Sequence, residues 1–473
     1  MKPMNRRLLT YPFLLLSWLV LGVLQAGAQQ TVTLKGEAPS YAGDPITFYR
    51  YADYITRDTI HLAQSTVDQQ GRFSCGFELG QTTKVLANLG TYKAYMFAEP
   101  GKDYVLALPK KKEKTQAQEL NPFFEGIPVH IGIKSATNKE LNHQIFKFSS
   151  LYKDIVNQNL NNIKGLVRQR DSVLKKLDTT VQYNHPFFRD YKRYTIASLK
   201  LPLGFPAEKI ESQYFAKQPL LYNNPAYMEA FATLYNDYLK ELFSRFGNQL
   251  YWVINGKRSY ALLDSLSRED PLLGDHPDLR ELVLLQALHQ AFHEDQFAAS
   301  AIQHMLDTFP SYSDHPRHRE IARHIRQNAT ILSPGEPAPE FCLFDADSNR
   351  VCLQDFSDEY IYLGFCNSKN YSCIRHYKLL ENLAQKHQRH FRIVIISNNS
   401  FSSMARFARH HDYSFTFLHY GQQKAILRDY KVRSMPMYYF IEPGGKLSIA
   451  PAPPPSENIE QRIYKKMKAN GDL

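Results

Sequence analysis

Hydrophobic and polar residues alternate along the chain from about residue 30 to residue 110. Alternation with a period of two is typical of half-buried strands, and short strands separated by glycine and proline turns are typical of a β-sandwich. The pattern therefore predicts an N-terminal β-sandwich over residues 29–110. The predicted strands are 31–36, 46–51, 72–79, 84–89, 95–98 and 104–108.

Between residues 111 and 332, apolar residues recur at steps of three and four, which is the period of an amphipathic helix. The strongest such pattern predicts one long helix over 227–246, and a helical pair follows over 279–297 and 299–309. Prolines divide the remaining sequence into short pieces. The segment is predicted to be a central all-α region.

From residue 333 onward, strand-like and helix-like patterns alternate. Such alternation is typical of βαβ units with partly parallel strands, so an α/β domain is predicted over 333–473. The fold class is therefore multidomain, with sandwich, helical and α/β parts. The predicted strands are 341–344, 350–353, 360–365, 391–397, 415–419, 437–441 and 446–449, and the predicted helices are 373–387, 401–411, 424–430 and 456–468.

Residues 1–28 have the pattern of a secretory signal peptide. Basic residues come first, an apolar run covers 8–24, and Ala26-Gly-Ala28 is a small-x-small cleavage site. The alternative is an uncleaved membrane anchor. We therefore expect a periplasmic or otherwise extracytoplasmic protein that contacts a membrane only if the signal is retained.

Composition agrees with a large folded protein. The 473 residues are 43% hydrophobic and 22% charged, which is a globular composition. Removal of the signal leaves 54 basic and 46 acidic residues, a moderate excess that is spread along the chain. We expect no nucleic-acid partner, no cofactor and no metal ion.

The five cysteines are too few for a disulfide-built scaffold, and four of them lie in the last third of the chain. Cys342 and Cys352 flank a predicted hairpin. A turn centred on Asp347 would place them opposite each other, whereas a two-residue turn would set Cys342 against Leu353. A cross-strand disulfide therefore depends on the register, and Cys75 is expected to be a buried strand residue.

Four motifs of the last segment resemble those of one family. They are the G-x-x-A-P-x-F sequence at 335–341, the hairpin and L-x-D-F sequence at 345–356, the strand 362–365, and V-x-x-x-P at 432–436 with the strand and glycine turn that follow. Together they resemble thioredoxin-like domains of the TlpA/ResA type, which are exported thiol–disulfide oxidoreductases. The resemblance covers about 30% of the chain and implies a cis peptide bond before Pro436. It also implies that the backbone of Met435 is free to pair with an extended partner chain.

The redox motif departs from the family pattern. The second cysteine of the Cys-x-x-Cys pair falls on Cys373, but the first falls on Asn370. An amide cannot attack a disulfide, although asparagine caps helices well. Cys373 alone is expected to be a weak nucleophile in a buried position. A disulfide between Cys366 and Cys373 is disfavoured because the loop between them would have to fold back.

Other patterns carry less chemistry. Residues 68–73 and 99–104 resemble the accessory β domain that often precedes thioredoxin-like domains in exported proteins of Bacteroidetes-type bacteria. His289 and His293 share one helix face without an obvious third ligand, so an exposed face is expected. The basic helix around His315, His318 and His324 is expected to be exposed, or to dock onto an acidic partner or a neighbouring domain. The Pro-x-x-x-Thr-x-x-Cys motif of peroxidases is absent.

The leading hypothesis is an extracytoplasmic, redox-impaired thioredoxin-like protein that binds protein or peptide partners. Tyr371, Met435 and Pro436 are the residues expected to contact such a partner. Two alternatives remain open at this point. One is an active thiol–disulfide oxidoreductase that uses Cys373, with or without Cys366, and the other is a non-catalytic scaffold protein of the cell envelope. The chain is therefore not assigned as an enzyme, because the family nucleophile is missing.

Overall fold

The structure is a computed structural model of the whole chain. It describes residues 29–472 except for a set of short gaps, and the predicted signal peptide lies outside the described residues. The gaps are 116–117, 119–123, 135–138, 160–166, 293–295, 331, 333, 368–369, 388, 398–402, 404–405, 408–409, 412, 422, 424 and 433, together with the side chains of 158–159 and 329–330.

The N-terminal region consists of two sheets with the strand orders β4-β1-β7-β9 and β3-β2-β5-β6-β8. Apolar side chains from both sheets, among them Val32, Leu34, Phe48 and Val85, form a single buried core. The strands are β1 Gln30–Glu37, β2 Pro45–Tyr51, β3 Thr59–Thr66, β4 Arg72–Leu79, β5 Thr83–Leu89, β6 Tyr92–Ala98, β7 Asp103–Ala107, β8 Ile127–His130 and β9 Gly132–Ile133.

Two features of this region differ from the sequence prediction. Strand β3 is absent from the predicted set, because its sequence lacks a clear apolar alternation and most of its residues are exposed or half-buried. Strands β8 and β9 pair with β6 and β7 and so continue the sheets past residue 110, the predicted end of the β domain. Cys75 is half-buried at the edge of the core and not fully enclosed.

The central region is helical, as predicted. The predicted single helix over 227–246 is two helices, because Asp237 adopts a left-handed conformation that ends one and starts the next. The described helices are α1 Leu141–Asn159, α2 Arg170–Thr180, α3 Pro186–Lys200, α4 Ala207–Tyr214, α5 Pro225–Leu234, α6 Tyr238–Phe246, α7 Asn248–Tyr251, a π-helical turn Trp252–Lys257, α8 Tyr260–Ser267, α9 Pro277–Ala291, α10 Ala299–Tyr312 and α11 Pro316–Thr330.

The basic helix α11 connects the three parts of the molecule. His324 Nδ1 lies 2.7 Å from a carboxylate oxygen of Asp53 in the β region, and the amide of Asn328 donates to Asp58 at 2.9 and 3.0 Å. The Lys431 ammonium of the C-terminal domain donates to the backbone carbonyl of Asn328. Docking onto neighbouring domains, one of the predicted alternatives, therefore applies to this face of α11.

The C-terminal domain contains a seven-stranded sheet with the order β11-β10-β14-β13-β12-β15-β16. Strand β12 is central, lies parallel to β13 and antiparallel to β15, and is buried along its whole length. The strands are β10 Cys342–Asp345, β11 Arg350–Cys352, β12 Tyr360–Phe365, β13 Phe391–Ser397, β14 Thr416–His419, β15 Met437–Glu442 and β16 Lys446–Ala452, and the described helices are α12 Tyr371–His387, α13 Ala425–Asp429 and α14 Ile459–Asn470.

The hairpin β10–β11 settles the question of register. Asp345 and Asn349 close the turn, so that Cys342 lies directly opposite Cys352. The two cysteines form a disulfide across the hairpin, with Cα atoms 4.0 Å apart. The turn centred on Asp347 is therefore the correct alternative of the two.

Within the described residues, we find no helix that combines the length and the apolar character needed to cross a membrane.

Candidate functional site

The site lies where the end of β12 meets the start of β15. The register of these antiparallel strands pairs Phe365 with Met437, so the residues after Phe365 lie next to the loop that ends in Pro436. The Met435–Pro436 peptide bond is cis, as the resemblance implies. Helix α12 begins a few residues after β12, and its first turn faces the same loop.

Asn370 caps the start of α12. Its side-chain oxygen accepts hydrogen bonds from the backbone N–H groups of Ser372 at 2.9 Å and Cys373 at 3.3 Å. These N–H groups have no partner within the helix, because the first turn has no preceding carbonyls. The predicted capping role of Asn370 is therefore present in the geometry.

The same amide also reaches the cis-proline loop. Asn370 Nδ2 donates a 2.9 Å hydrogen bond to the backbone carbonyl of Met435. The backbone carbonyl of Met435 therefore already has one hydrogen-bond partner within the protein, whereas its pairing with a partner chain stays a prediction. A cysteine at residue 370 would make these contacts only weakly, because its single sulfur is both a weak donor and a weak acceptor.

The surface beside this link is apolar. Tyr371 is 75% exposed, the most exposed of the large hydrophobic residues that the structure describes, and Ile374 is 45% exposed. Residues three apart on a helix share a face. Met435 is half-buried and packs against the core below. We call Tyr371, Ile374 and Met435 the Tyr371 surface.

Cys366 and Cys373 lie together beneath that surface. Both are fully buried in the core between α12 and the sheet, and both are free thiols. The backbone N–H of Cys366 donates to the carbonyl of Ile396 at 3.1 Å, which continues the β12–β13 ladder by one residue. The two side chains share a hydrogen bond but no disulfide, in agreement with the sequence-based expectation that disfavours a disulfide between them.

The two thiols differ in their electrostatics. Burial raises the pKa of Cys366 well above its usual value, and the hydrogen bond to Cys373 acts in the same direction. That bond lowers the pKa of Cys373, and the backbone N–H of Asn367 also lowers it against the opposing effect of burial. Cys373 is therefore the sulfur that holds a negative charge more readily.

A chain of polar groups leads from Cys366 toward the surface. Cys366 Sγ and the Tyr438 hydroxyl share a 3.2 Å hydrogen bond, and the same hydroxyl lies 3.0 Å from His376 Nδ1. His376 Nε2 in turn lies 3.4 Å from the Ser456 hydroxyl. No pattern in the sequence indicates this chain of polar groups, because its members come from the end of β12, from α12, from β15 and from the segment before α14.

Two other histidines that the sequence singles out make packing contacts within the helical region. His318 is fully buried, with Nδ1 2.8 Å from a Glu281 carboxylate oxygen and Nε2 2.7 Å from the Tyr222 hydroxyl. His315 stacks on His318, with ring centroids 4.1 Å apart. These contacts hold α11 against α9 and the chain before α5. His289 lies in α9, whereas His293 lies outside the described residues.

Comparison with known proteins gives one family match. Residues 334–449 match the model of the AhpC/TSA family. The C-terminal domain therefore belongs to this thioredoxin-fold family, in agreement with the resemblance of its motifs. No curated protein matches the chain.

Several solved structures are similar to part of this chain. A Bacteroides vulgatus protein described as a thiol-disulfide oxidoreductase is 24% identical, with a TM-score of 0.27, and the match covers 29% of this chain and 98% of that protein. A Chlorobium tepidum protein described as the thiol:disulfide interchange protein DsbE is 23% identical, with a TM-score of 0.26 and coverage of 29% and 99%. The exposed lipoprotein thioredoxin of Streptococcus pneumoniae is 21% identical, with a TM-score of 0.24 and coverage of 27% and 99%.

Proposed function

We propose that this protein is an extracytoplasmic thioredoxin-like protein that binds a protein or peptide partner and does not turn over protein disulfides. The observation that carries the proposal is the position of Asn370. Its amide occupies the start of α12 and is bonded both to the helix and to the Met435 carbonyl. Exchange requires a thiolate that can reach the substrate disulfide, and the nearest thiol, Cys373, is fully buried.

The Tyr371 surface supports the binding part of the proposal. An exposed tyrosine with an exposed isoleucine on the same helix face is the kind of residue that contributes strongly to protein interfaces. The partner would contact the side chains of this surface, next to the hydrogen bond between Asn370 and the Met435 carbonyl. An exported location is supported by the predicted signal and by the Cys342–Cys352 disulfide, since such bonds persist in oxidising compartments.

Reduction of insulin by dithiothreitol tests the absence of turnover. The full-length protein should accelerate precipitation of the insulin B chain no more than its Cys373→Ser variant does. The Asn370→Cys variant is the matched positive control, because it restores the family Cys-x-x-Cys spacing with Cys373 and should raise the rate about tenfold or more. Wild-type acceleration clearly above the Cys373→Ser variant would overturn the proposal in favour of the active oxidoreductase.

Site-specific photocrosslinking in the exporting cell tests partner binding. A photoreactive residue at Tyr371 should give a discrete crosslinked product, which an additional Ile374→Asp substitution should reduce. A photoreactive residue at Ser265, an exposed position in α8, is the control for random encounters. If Tyr371 gives no product beyond that control, the scaffold alternative is favoured.

A further inference from the structure

The buried cysteine pair is the feature that the proposed function leaves unused. Cys366 follows the last residue of β12 and Cys373 lies in the first turn of α12, so two different elements present their sulfurs to each other. Neither side chain has any exposed surface, and both belong to the core that α12 and α14 form on one face of the sheet. A single buried cysteine is often only a small apolar residue, but two thiols in hydrogen-bond contact are also the reduced form of a potential disulfide.

The groups around the pair fit a sulfur that carries charge. The Tyr438 hydroxyl lies 3.2 Å from Cys366 Sγ, and the backbone N–H of Asn367 points at Cys373. The Tyr377 hydroxyl is fully buried, interacts electrostatically with both cysteines, and has no hydrogen-bond partner among the described residues.

We propose that Cys366 and Cys373 are a reversible redox pair, which a small-molecule disulfide oxidises to a buried intramolecular disulfide and a small thiol reduces again. In the first step, the Cys373 thiolate attacks one sulfur of the small disulfide RSSR, forms a mixed disulfide and releases RS⁻. In the second step, Cys366 loses its proton and attacks the Cys373 sulfur, so that the second RS⁻ leaves. In total, two protein thiols and RSSR give one protein disulfide and two RSH.

The direction of attack is the reverse of the family pattern. The hydrogen bond from Cys366 and the N–H of Asn367 favour the thiolate at Cys373, whereas burial keeps Cys366 protonated. Cys373 is therefore the attacking sulfur and Cys366 the one that resolves the mixed disulfide. In the family, the residue at the Cys373 position has the resolving role.

Burial decides which oxidants can react. A small disulfide can reach Cys373 when the first turn of α12 opens, because helix ends open locally at much lower cost than the whole domain unfolds. A folded protein substrate would need a far larger opening. The pair can therefore be redox-active toward small molecules while the protein remains inactive in the insulin assay, and the two proposals can fail independently.

Thiol counting on the purified full-length protein tests the pair. With the Cys342–Cys352 disulfide intact, the denatured chain should show three thiols, from Cys75, Cys366 and Cys373. After incubation of the folded protein with excess oxidised glutathione, followed by removal of the reagent, we expect one. Tryptic cleavage after Lys369 separates the two cysteines, so mass spectrometry should show a new link between the peptides 351–369 and 370–375. Mild dithiothreitol treatment should restore three thiols.

Matched variants identify the sulfurs. The Cys75→Ser variant should start at two thiols and end at none, because Cys75 takes no part in the pair. The variant also removes the one other thiol that could form a mixed disulfide with glutathione. Cys366→Ser should instead retain glutathione on Cys373. A wild-type count that stays at three after oxidation, or a stable glutathione adduct on wild-type Cys373, would overturn the proposal.

The rate of closure tests the access route. The Asn370→Ala variant removes the helix cap and should open the first turn of α12 more often, so its oxidation should be about fivefold faster than that of the wild type. Ser265→Ala, an exposed substitution in another domain, should leave the rate unchanged. Equal rates for wild type and Asn370→Ala, together with a closed disulfide in both, would refute the opening of this turn as the route.

Discussion

The C-terminal domain contains two cysteine pairs that differ in every structural respect except their proximity. Cys342 and Cys352 are neighbours across one hairpin at the sheet edge, are half-buried and form a disulfide. Cys366 follows a central strand and Cys373 lies in a helix, and both are fully buried thiols. The hairpin brings the first pair together by local register, whereas the packing of α12 on the sheet brings the second pair together.

This difference separates a cysteine pair that stabilises the fold from a pair that can react. The hairpin pair stands apart from the cis-proline loop and from Asn370, so its bond can act only by restricting the chain. The buried pair is connected to Tyr438, His376 and, through the first turn of α12, to the Tyr371 surface. We therefore expect removal of the first pair to affect stability and changes around the second to affect reactivity.

The largest effect on stability is expected from the hairpin pair. The double variant Cys342→Ser/Cys352→Ser should lower the free energy of opening of the C-terminal domain by about 3 kcal/mol, since the disulfide closes a loop of about ten residues in the unfolded chain. Hydrogen exchange of the amides in β12 and β13, measured in mild denaturant, reports this free energy. Cys75→Ser is the control in the N-terminal region. A loss below about 1 kcal/mol would contradict the stabilising role that distinguishes the hairpin pair from the buried pair.

The two pairs also show what the sequence could and could not predict. The strand–helix alternation predicted the α/β domain, because it depends on neighbours along the chain, and the family resemblance, which places Asn370 at a helix start, implied the helix cap. The hairpin disulfide was predicted only conditionally, since a shift of one residue in the turn would have moved Cys342 opposite Leu353.

The contact within the buried pair was considered in the sequence but not predicted, for a physical reason. The contact between Cys366 and Cys373 depends on where α12 packs relative to the end of β12, and no periodicity in the sequence reports that packing. The link from Asn370 to the Met435 carbonyl was missed for the same reason, since 65 residues separate its two ends. Likewise, the break at Asp237 within an unbroken amphipathic pattern reflects a single left-handed residue.

A smaller effect is expected at the link between the buried pair and the surface. Asn370→Ala should destabilise the first turn of α12 by about 1 kcal/mol, because it removes the acceptor for the N–H groups of Ser372 and Cys373. Asn370→Asp keeps an acceptor at the cap, loses the donor to the Met435 carbonyl and adds a negative charge that suits the start of a helix. Hydrogen exchange of the first-turn amides should therefore rise strongly in Asn370→Ala and only slightly in Asn370→Asp. Equal increases in both variants would show that the bond to the loop, and not the cap, holds the turn in place.

The smallest effect is expected from pH, and it applies to the buried pair alone. Burial lowers the pKa of His376, and the charge of Arg375 acts in the same direction. Above the pKa of an unfolded histidine, about 6.5, the ring is neutral in both states and contributes nothing to the pH dependence. As the pH falls through that value, the unfolded chain takes up the proton first, so the free energy of unfolding falls. A protonated ring also cannot accept a hydrogen bond from the Tyr438 hydroxyl, which weakens the chain that leads to Cys366.

Between pH 7.5 and 5.5, hydrogen exchange at the start of α12 should therefore rise, after correction for the intrinsic exchange rate. The rise should be smaller than the one that Asn370→Ala produces, and it should be smaller still in His376→Gln. A pH response of the same size in His376→Gln would assign the effect to a different histidine. The buried pair would then have no pH dependence of its own that distinguishes it from the hairpin pair.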